Sequence, residues 1–231
     1  MVLTLDANVW STNLVIHEIV SLYDIFRFDD HAFHITTLQV IQRRLDGSVN
    51  FDKKWTDYKN GFGFLNTEFW LGNEKLAYLT AQKNYKLRID FRNKQGDPYY
   101  ASYDHFRVGD SGNYYNLLLG VYSGNSGNDA LNFHRNMSFS TSDADHDKHT
   151  TNCAATHRGG WWFNSCDTSN LNGRYGVEED AGAVEWNGLP GGSYALKFTE
   201  MKNTAIKTAD ERYTFAVLKN SSFFSINRYI D

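Results

Sequence analysis

One short stretch of the chain concentrates most of its chemistry. Asp143, Asp145, His146, Asp147 and His149 precede Cys153, His157 and the pair Trp161-Trp162 follow it, and Cys166 and Asp167 close it. Carboxylates on alternate residues of a coil, with backbone carbonyls just beyond them, can supply the roughly six to eight oxygens that calcium takes at flexible geometry. Asp145 and Asp147 have that spacing. A solvated acidic turn is the plain alternative. Cys153 and Cys166 are the only two cysteines, and the residues alone allow either a cross-link or two reduced, buried thiols.

Rival chemistries can be tested by counting. An EF-hand loop starting at Asp143 needs glycine where Lys148 stands and a bidentate glutamate where Ala154 stands, so it fails at both positions. Zinc could draw on His146, His149, His157, Asp145 and the cysteines, but their spacing fits no standard ligand set. Gly109-Asp110-Ser111-Gly112 copies the nucleophile turn of trypsin-like proteases. Asn113 replaces the next glycine, no Ala-Ala-His-Cys segment lies upstream, and a triad needs three partners and an oxyanion hole. These four residues read instead as a turn after a strand ending at Val108. The expectation is a protein that is not an enzyme.

The elements that must position the loop read as short, aromatic-rich strands between Gly, Asn and Asp turns, such as residues 85–91, 114–122 and 194–199. In residues 12–27, Leu14, Val15, Ile16, Ile19, Val20, Leu22, Tyr23 and Phe26 recur at helical spacing and predict an amphipathic helix. Together these give an α+β fold. A chain of 231 residues with 16% aromatics can bury a sizeable core as one domain, and a mean hydropathy of −0.54 suits a loop-rich module. The net charge of −4 offers no basic field for nucleic acid or an anionic membrane. Charged residues interrupt every apolar run, which excludes insertion into a membrane as a helix. Asp6, His17 and Glu18 break what would otherwise pass for the apolar core of a signal peptide.

Several blocks occur in a fixed order: Gln42-Arg43-Arg44-Leu45-Asp46-Gly47-Ser48-Val49-Asn50-Phe51, then Trp55, Tyr58-Lys59, Gly61-Phe62-Gly63 and Glu68-Phe69-Trp70-Leu71-Gly72-Asn73. They are followed by Tyr85-Lys86-Leu87-Arg88-Ile89-Asp90, Phe139-Ser140-Thr141 and Thr199-Glu200-Met201-Lys202. In this order they resemble the fibrinogen C-terminal globular domain. The resemblance implies a central twisted, mainly antiparallel sheet with short helices and a loop-rich calcium- and ligand-binding subdomain at about residues 130–190. It covers roughly residues 39–202. Residues 1–38 form an atypical N-terminal segment without the family's cysteine pair or Gly-Gly-Gly-Trp turn, so the first subdomain reads as truncated or replaced. Residues 203–231 form an atypical C-terminal tail, in which 214–218 and 223–226 read either as an extra strand or as part of a frayed end.

The resemblance also implies a site. In the family, carboxylates eight and six residues before the first loop cysteine bind Ca²⁺ with carbonyls four and two residues before it, which here means Asp145, Asp147, His149 and Thr151. The two loop cysteines are paired, so Cys153 and Cys166 are expected as a disulfide, and the peptide before the second is often cis. A disulfide implies an oxidising compartment and a secreted protein. The sequons at Asn136 and Asn220 agree with that route.

Acetyl-binding relatives such as ficolins and tachylectins place a histidine after the second cysteine, an aromatic four residues after the first, and a later tyrosine. Those positions hold Asp167, His157 and a residue near Glu179. The expected ligand-binding face is therefore His157, Ser165, Cys166, Asp167, Glu179 and Asp180, more acidic than in the acetyl binders. Carboxylates favour an ammonium over an acetyl methyl. The pocket of the fibrinogen gamma chain, which accepts a peptide amino terminus, is acidic in a similar way. The expected function is an extracellular, calcium-stabilised, lectin-like recognition module. Its ligands would be glycans or acetylated or amine-bearing groups on microbial or cell surfaces, as in innate immunity. The alternative is a receptor-binding or matrix ligand of the angiopoietin or tenascin kind, with a cell-surface protein as partner. With no collagen-like or coiled-coil stalk to add avidity, the chain alone is expected to be monomeric.

Overall fold

A computed structural model describes residues 38–177, 182–190 and 195–206. The predicted helix over 12–27, the tail segments 214–218 and 223–226, Tyr194 and the acidic residues Glu178, Glu179 and Asp180 lie outside them.

In chain order the elements are β1 (Leu38–Arg44), α1 (Trp55–Asn60), β2 (Phe62–Gly63), β3 (Phe69–Trp70), α2 (Asn73–Gln82), β4 (Tyr85–Asn93) and β5 (Pro98–Val108). There follow a 3₁₀ turn at Ser111–Asn113, β6 (Leu117–Leu119), β7 (Tyr122–Gly124), a second 3₁₀ turn at Ala130–His134, α3 (Cys153–His157), β8 (Ser169–Asn170), β9 (Glu185–Trp186) and β10 (Leu196–Ala205). The main sheet runs β2-β3-β1-β10-β4-β5-β6, with β7 also paired to β5, and every pairing in it is antiparallel. The last strand in sequence thus lies in the middle of the sheet, between β1 and β4. Alternation in β4 sends Leu87, Ile89 and Phe91 into the core and Lys86, Arg88 and Arg92 to solvent, as the pleat requires.

The Gln42-Arg43-Arg44 block acquires a physical role here. At the inner end of β1, the Gln42 amide donates to Leu171 O (2.8 Å) and Asn172 Oδ1 (3.1 Å), and its oxygen accepts from Thr199 Oγ1 (2.9 Å). Arg44 lies over the Phe51 ring, 3.9 Å from its centroid, and donates to the carbonyls of Leu171 and Gly173. The sheet therefore holds the segment just past the cysteine loop by side chains more than a hundred residues away in sequence. Glu68, fully buried, gathers the turn that follows: its carboxylate accepts from the backbone N–H groups of Leu45, Asp46, Gly47 and Val49 at 2.7–3.2 Å and faces Arg44 Nε at 3.6 Å.

Residues 85–91 form a strand as predicted, and the strand predicted at 194–199 is the start of β10. The predicted strand at 114–122 is not continuous. Tyr114 and Tyr115 take positive φ (48° and 54°) at the end of the 3₁₀ turn, a left-handed conformation that pattern alone does not announce for tyrosine. The chain then makes two three-residue strands, β6 and β7, both paired to β5. The Gly109-Asp110-Ser111-Gly112 segment is a turn after Val108, with Asp110 capping the 3₁₀ turn through Asn113 N (3.2 Å) and Ser111 exposed.

Candidate functional site

The loop bearing the acidic residues and cysteines packs on an aromatic core. Trp70, Trp161, Trp162, Tyr58 and Phe139 are fully or almost fully buried, in edge-on and tilted contacts between 5.1 and 6.0 Å. Trp162 Nε1 donates to Tyr115 O (2.7 Å). Gly160 is required at this junction, because a Cβ there would stand 2.7 Å from Phe139 and from Tyr58.

From this floor the loop is built by local hydrogen bonds. Asp143 Oδ1 accepts from Thr141 Oγ1 (2.8 Å) and from Trp55 N (3.0 Å), so this carboxylate ties the loop to the start of α1. His146 stacks on Tyr114, with centroids 3.9 Å apart. Asp147 accepts from His149 N through one oxygen and from Cys153 N through the other, both at 2.8 Å. Asn152 caps α3 by accepting from Ala155 N (2.9 Å), which fixes Cys153 at the first helical position. Cys153 and Cys166 form the disulfide, with Cα atoms 5.6 Å apart. Lys148 N donates to Asn164 O (2.9 Å) and Asn164 N to Cys166 O (2.7 Å), so the acidic segment and the Cys166 turn form one unit. The Ser165-Cys166 peptide is cis, as expected.

Asp145 and Asp147 are neighbours, with Asp147 N donating to Asp145 Oδ1 (3.3 Å). Burial, and after it the Asp145 carboxylate, hold the Asp147 carboxyl above the usual range for aspartate. Two crowded carboxylates, with the backbone carbonyls of His149 and Thr151 close in sequence, would offer oxygen donors of the type calcium takes. His149 Nδ1 lies within 3.2 Å of Thr151 O. It also clusters with Cys153 and Cys166, but the disulfide leaves no thiolate there to bind a soft metal.

The residues expected to line the pocket are brought together in part. His157 Nδ1 lies 2.9 Å from Asp167 Oδ2, and these side chains are only 12% and 6% exposed. Ser165 is exposed beside them. Glu185, which sequence reasoning missed, joins this pair: all three ligating atoms lie within 4.8 Å of one another. Topology brings it there, since β9 pairs with β8 and Glu185 stands opposite Asn170, four residues past Cys166.

His134 was also missed. It is fully buried, its Nδ1 donates to Trp162 O (2.8 Å), and its Nε2 accepts from Thr168 N and Ser169 N, each at 3.3 Å. Burial depresses its pKa to about 4, against smaller opposing effects of Trp162 O and Asp167. A neutral imidazole thus pins the residues immediately after Asp167. No local motif around His134 announces this.

The fold is thus an antiparallel-sheet domain that presents a disulfide-closed acidic loop on an aromatic floor. Residues 28–206 match the family model for the C-terminal globular domain of fibrinogen beta and gamma chains. The chain belongs to that family. It is 49% identical over 166 residues to fibrinogen-like protein A of Apostichopus parvimensis, covering 71% of this chain and 58% of that protein. It is 45% identical over 163 residues to tenascin-R of Gallus gallus, covering 71% of this chain and 12% of that protein. The chain thus spans little more than half of the first relative and a small part of the second.

Among solved structures, the fibrinogen-like globe domain of human ANGPTL6 superposes with a TM-score of 0.71 at 38% identity, covering 74% of this chain and 79% of that one. Lamprey fibrin D-dimer, complexed with the peptide Gly-His-Arg-Pro-amide, superposes with a TM-score of 0.69 at 34% identity, covering 79% and 66% respectively. This kinship supports a ligand-binding recognition module. Among the described residues, no helix is long and apolar enough to cross a membrane.

Proposed function

We propose that the domain is an extracellular recognition module that binds an amine-bearing ligand, of the kind a peptide amino terminus presents, on the face around Cys166. Ca²⁺ held by Asp145, Asp147 and the carbonyls of His149 and Thr151 supports that face from behind. The observation that carries the reading is the nearly buried Asp167 carboxylate, held by His157 immediately after Cys166, with the Glu185 carboxylate nearby. A carboxylate beside this turn offers an ammonium charge-assisted hydrogen bonds, which an acetyl methyl cannot make.

Two further findings support the reading. The ligand in the lamprey fibrin complex, Gly-His-Arg-Pro-amide, has a free amino terminus and an arginine. The disulfide belongs to an oxidising compartment. Calcium would act without touching ligand, because ordering the acidic loop fixes Asn164 and through it the Cys166 turn.

Retention on an immobilised amino-terminal peptide, against acetylated albumin and a glycan array, tests the reading. Wild type should be held by the peptide, and Asp167→His, which removes one negative charge, should be held less. If wild type and Asp167→His bind acetylated albumin or N-acetylglucosamine equally well and both ignore the peptide, the module is an acetyl-binding lectin.

A further inference from the structure

We infer that Asn136 is a modification site and carries an N-linked oligosaccharide. Asn136-Met137-Ser138 fits the acceptor pattern Asn-x-Ser/Thr, whose middle residue is anything but proline. Such triplets arise readily by chance, so the structural setting of the asparagine has to decide. Cys153 and Cys166 are joined, which belongs to the oxidising compartment where such sugars are transferred. The other triplet, at Asn220, lies outside the described residues.

The fold presents this asparagine and asks nothing of its amide. Asn136 is exposed, and among the described residues its side chain has no hydrogen-bond partner. Exchanging one of its two side-chain N–H bonds for a bond to sugar therefore breaks no internal hydrogen bond. The backbone holds it in place: Asn136 N donates to Leu117 O (2.7 Å) and Leu117 N to Met137 O (3.0 Å), which straps the segment to β6. Its φ of 64° lies in the left-handed region, where asparagine is tolerated and glycine would serve as well. The turn thus explains a small residue there but not the amide. Three residues earlier, Phe133 O accepts from Asn164 Nδ2 (3.0 Å), so the sugar would stand on the segment that braces the turn before Cys166.

The chemistry is a group transfer from an oligosaccharide carried on a lipid pyrophosphate. Asn136 Nδ2 attacks the anomeric carbon of the sugar, and the new N–C bond replaces the C–O bond to pyrophosphate. The lipid pyrophosphate leaves with the electron pair, and one amide proton passes to a base of the transferase. The Ser138 hydroxyl is the part of the triplet that the transferase reads together with the amide. Transfer takes place on the chain before it folds, so the folded structure has only to keep the modified side chain in solvent, as it does here. Only the extracellular route is taken from the function proposed above; amine recognition plays no part.

The test is peptide mapping by mass spectrometry of the full chain, sent through the secretory route of an animal cell by an added leader. Disulfide-bonded protein pooled from cells and medium is digested before and after treatment with an amide-cleaving glycosidase in heavy-oxygen water. In wild type the peptide holding Asn136 should appear unmodified only after treatment, with residue 136 converted to aspartate that carries heavy oxygen. Ser138→Ala keeps asparagine in the left-handed position and should show the same peptide untreated, with no conversion. Asn136→Gly suits the backbone and should lose the same glycan from the intact mass, whereas Asn220→Gln should retain it. An unmodified Asn136 in disulfide-bonded wild type would overturn the inference while leaving amine recognition standing. So would conversion that persists in Ser138→Ala, since that is deamidation without a sugar.

Discussion

Acidification should weaken this fold through one buried imidazole. His134 has a pKa of about 4 in the folded protein, against about 6.5 for an unperturbed histidine. The folded state accepts the proton less readily than the unfolded chain, so the contribution is complete above pH 6.5 and is lost as pH falls toward 4. Integrating the linkage relation from pH 7.5 to pH 5 gives a loss of about 2 kcal/mol from this group alone. The physical cause is that the protonated ring would be charged without water and would present a donor to Thr168 N and Ser169 N, which are themselves donors. Urea denaturation of wild type and His134→Gln at several values between pH 7.5 and 5 measures it. The variant should be less stable at pH 7.5, but its stability should fall by about 2 kcal/mol less over the interval. Parallel curves for the two proteins would refute the reasoning.

Three further outcomes are expected. Five millimolar calcium should stabilise wild type by about 1–2 kcal/mol if affinity lies in the weak extracellular range of roughly 10⁻⁴–10⁻³ M, which a thermal melt with and without chelator reads as a shift of a few degrees. The Asp145→Ala, Asp147→Ala double variant should show no such shift. Glu68→Ala should cost about 3–5 kcal/mol by urea denaturation, since it strands Arg44 in the interior and releases four backbone N–H groups. Gly160→Ala should cost about 1–3 kcal/mol in the same assay, because its Cβ would overlap Phe139 and Tyr58 at 2.7 Å.

The cysteine loop was readable because its parts are close in sequence. Asp145, Asp147, Cys153 and Cys166 occur in one stretch, and the hydrogen bonds that shape it are mostly short-range. The Gln42-Arg43-Arg44 block was visible as a pattern, but its purpose was not, since Gln42 and Arg44 act on Leu171 to Gly173 across the sheet. Glu185 was missed for the same reason: only the β8–β9 pairing delivers it to His157 and Asp167. His134 left no trace because a buried histidine that accepts from two backbone amides has no sequence signature. The 114–122 strand was misread because its hydrophobic content suggested extension, whereas the left-handed Tyr114 and Tyr115 follow from the turn that Asp110 caps.

The most direct measurement is a calorimetric titration of the domain with Gly-His-Arg-Pro-amide and with its amino-terminally acetylated form, each in calcium and in chelator. The free-amine peptide should bind in calcium and bind more weakly in chelator, while acetylation should abolish binding in both. Equal or tighter binding of the acetylated peptide, or affinity for the free-amine peptide indifferent to calcium, would contradict a calcium-supported, amine-recognising face.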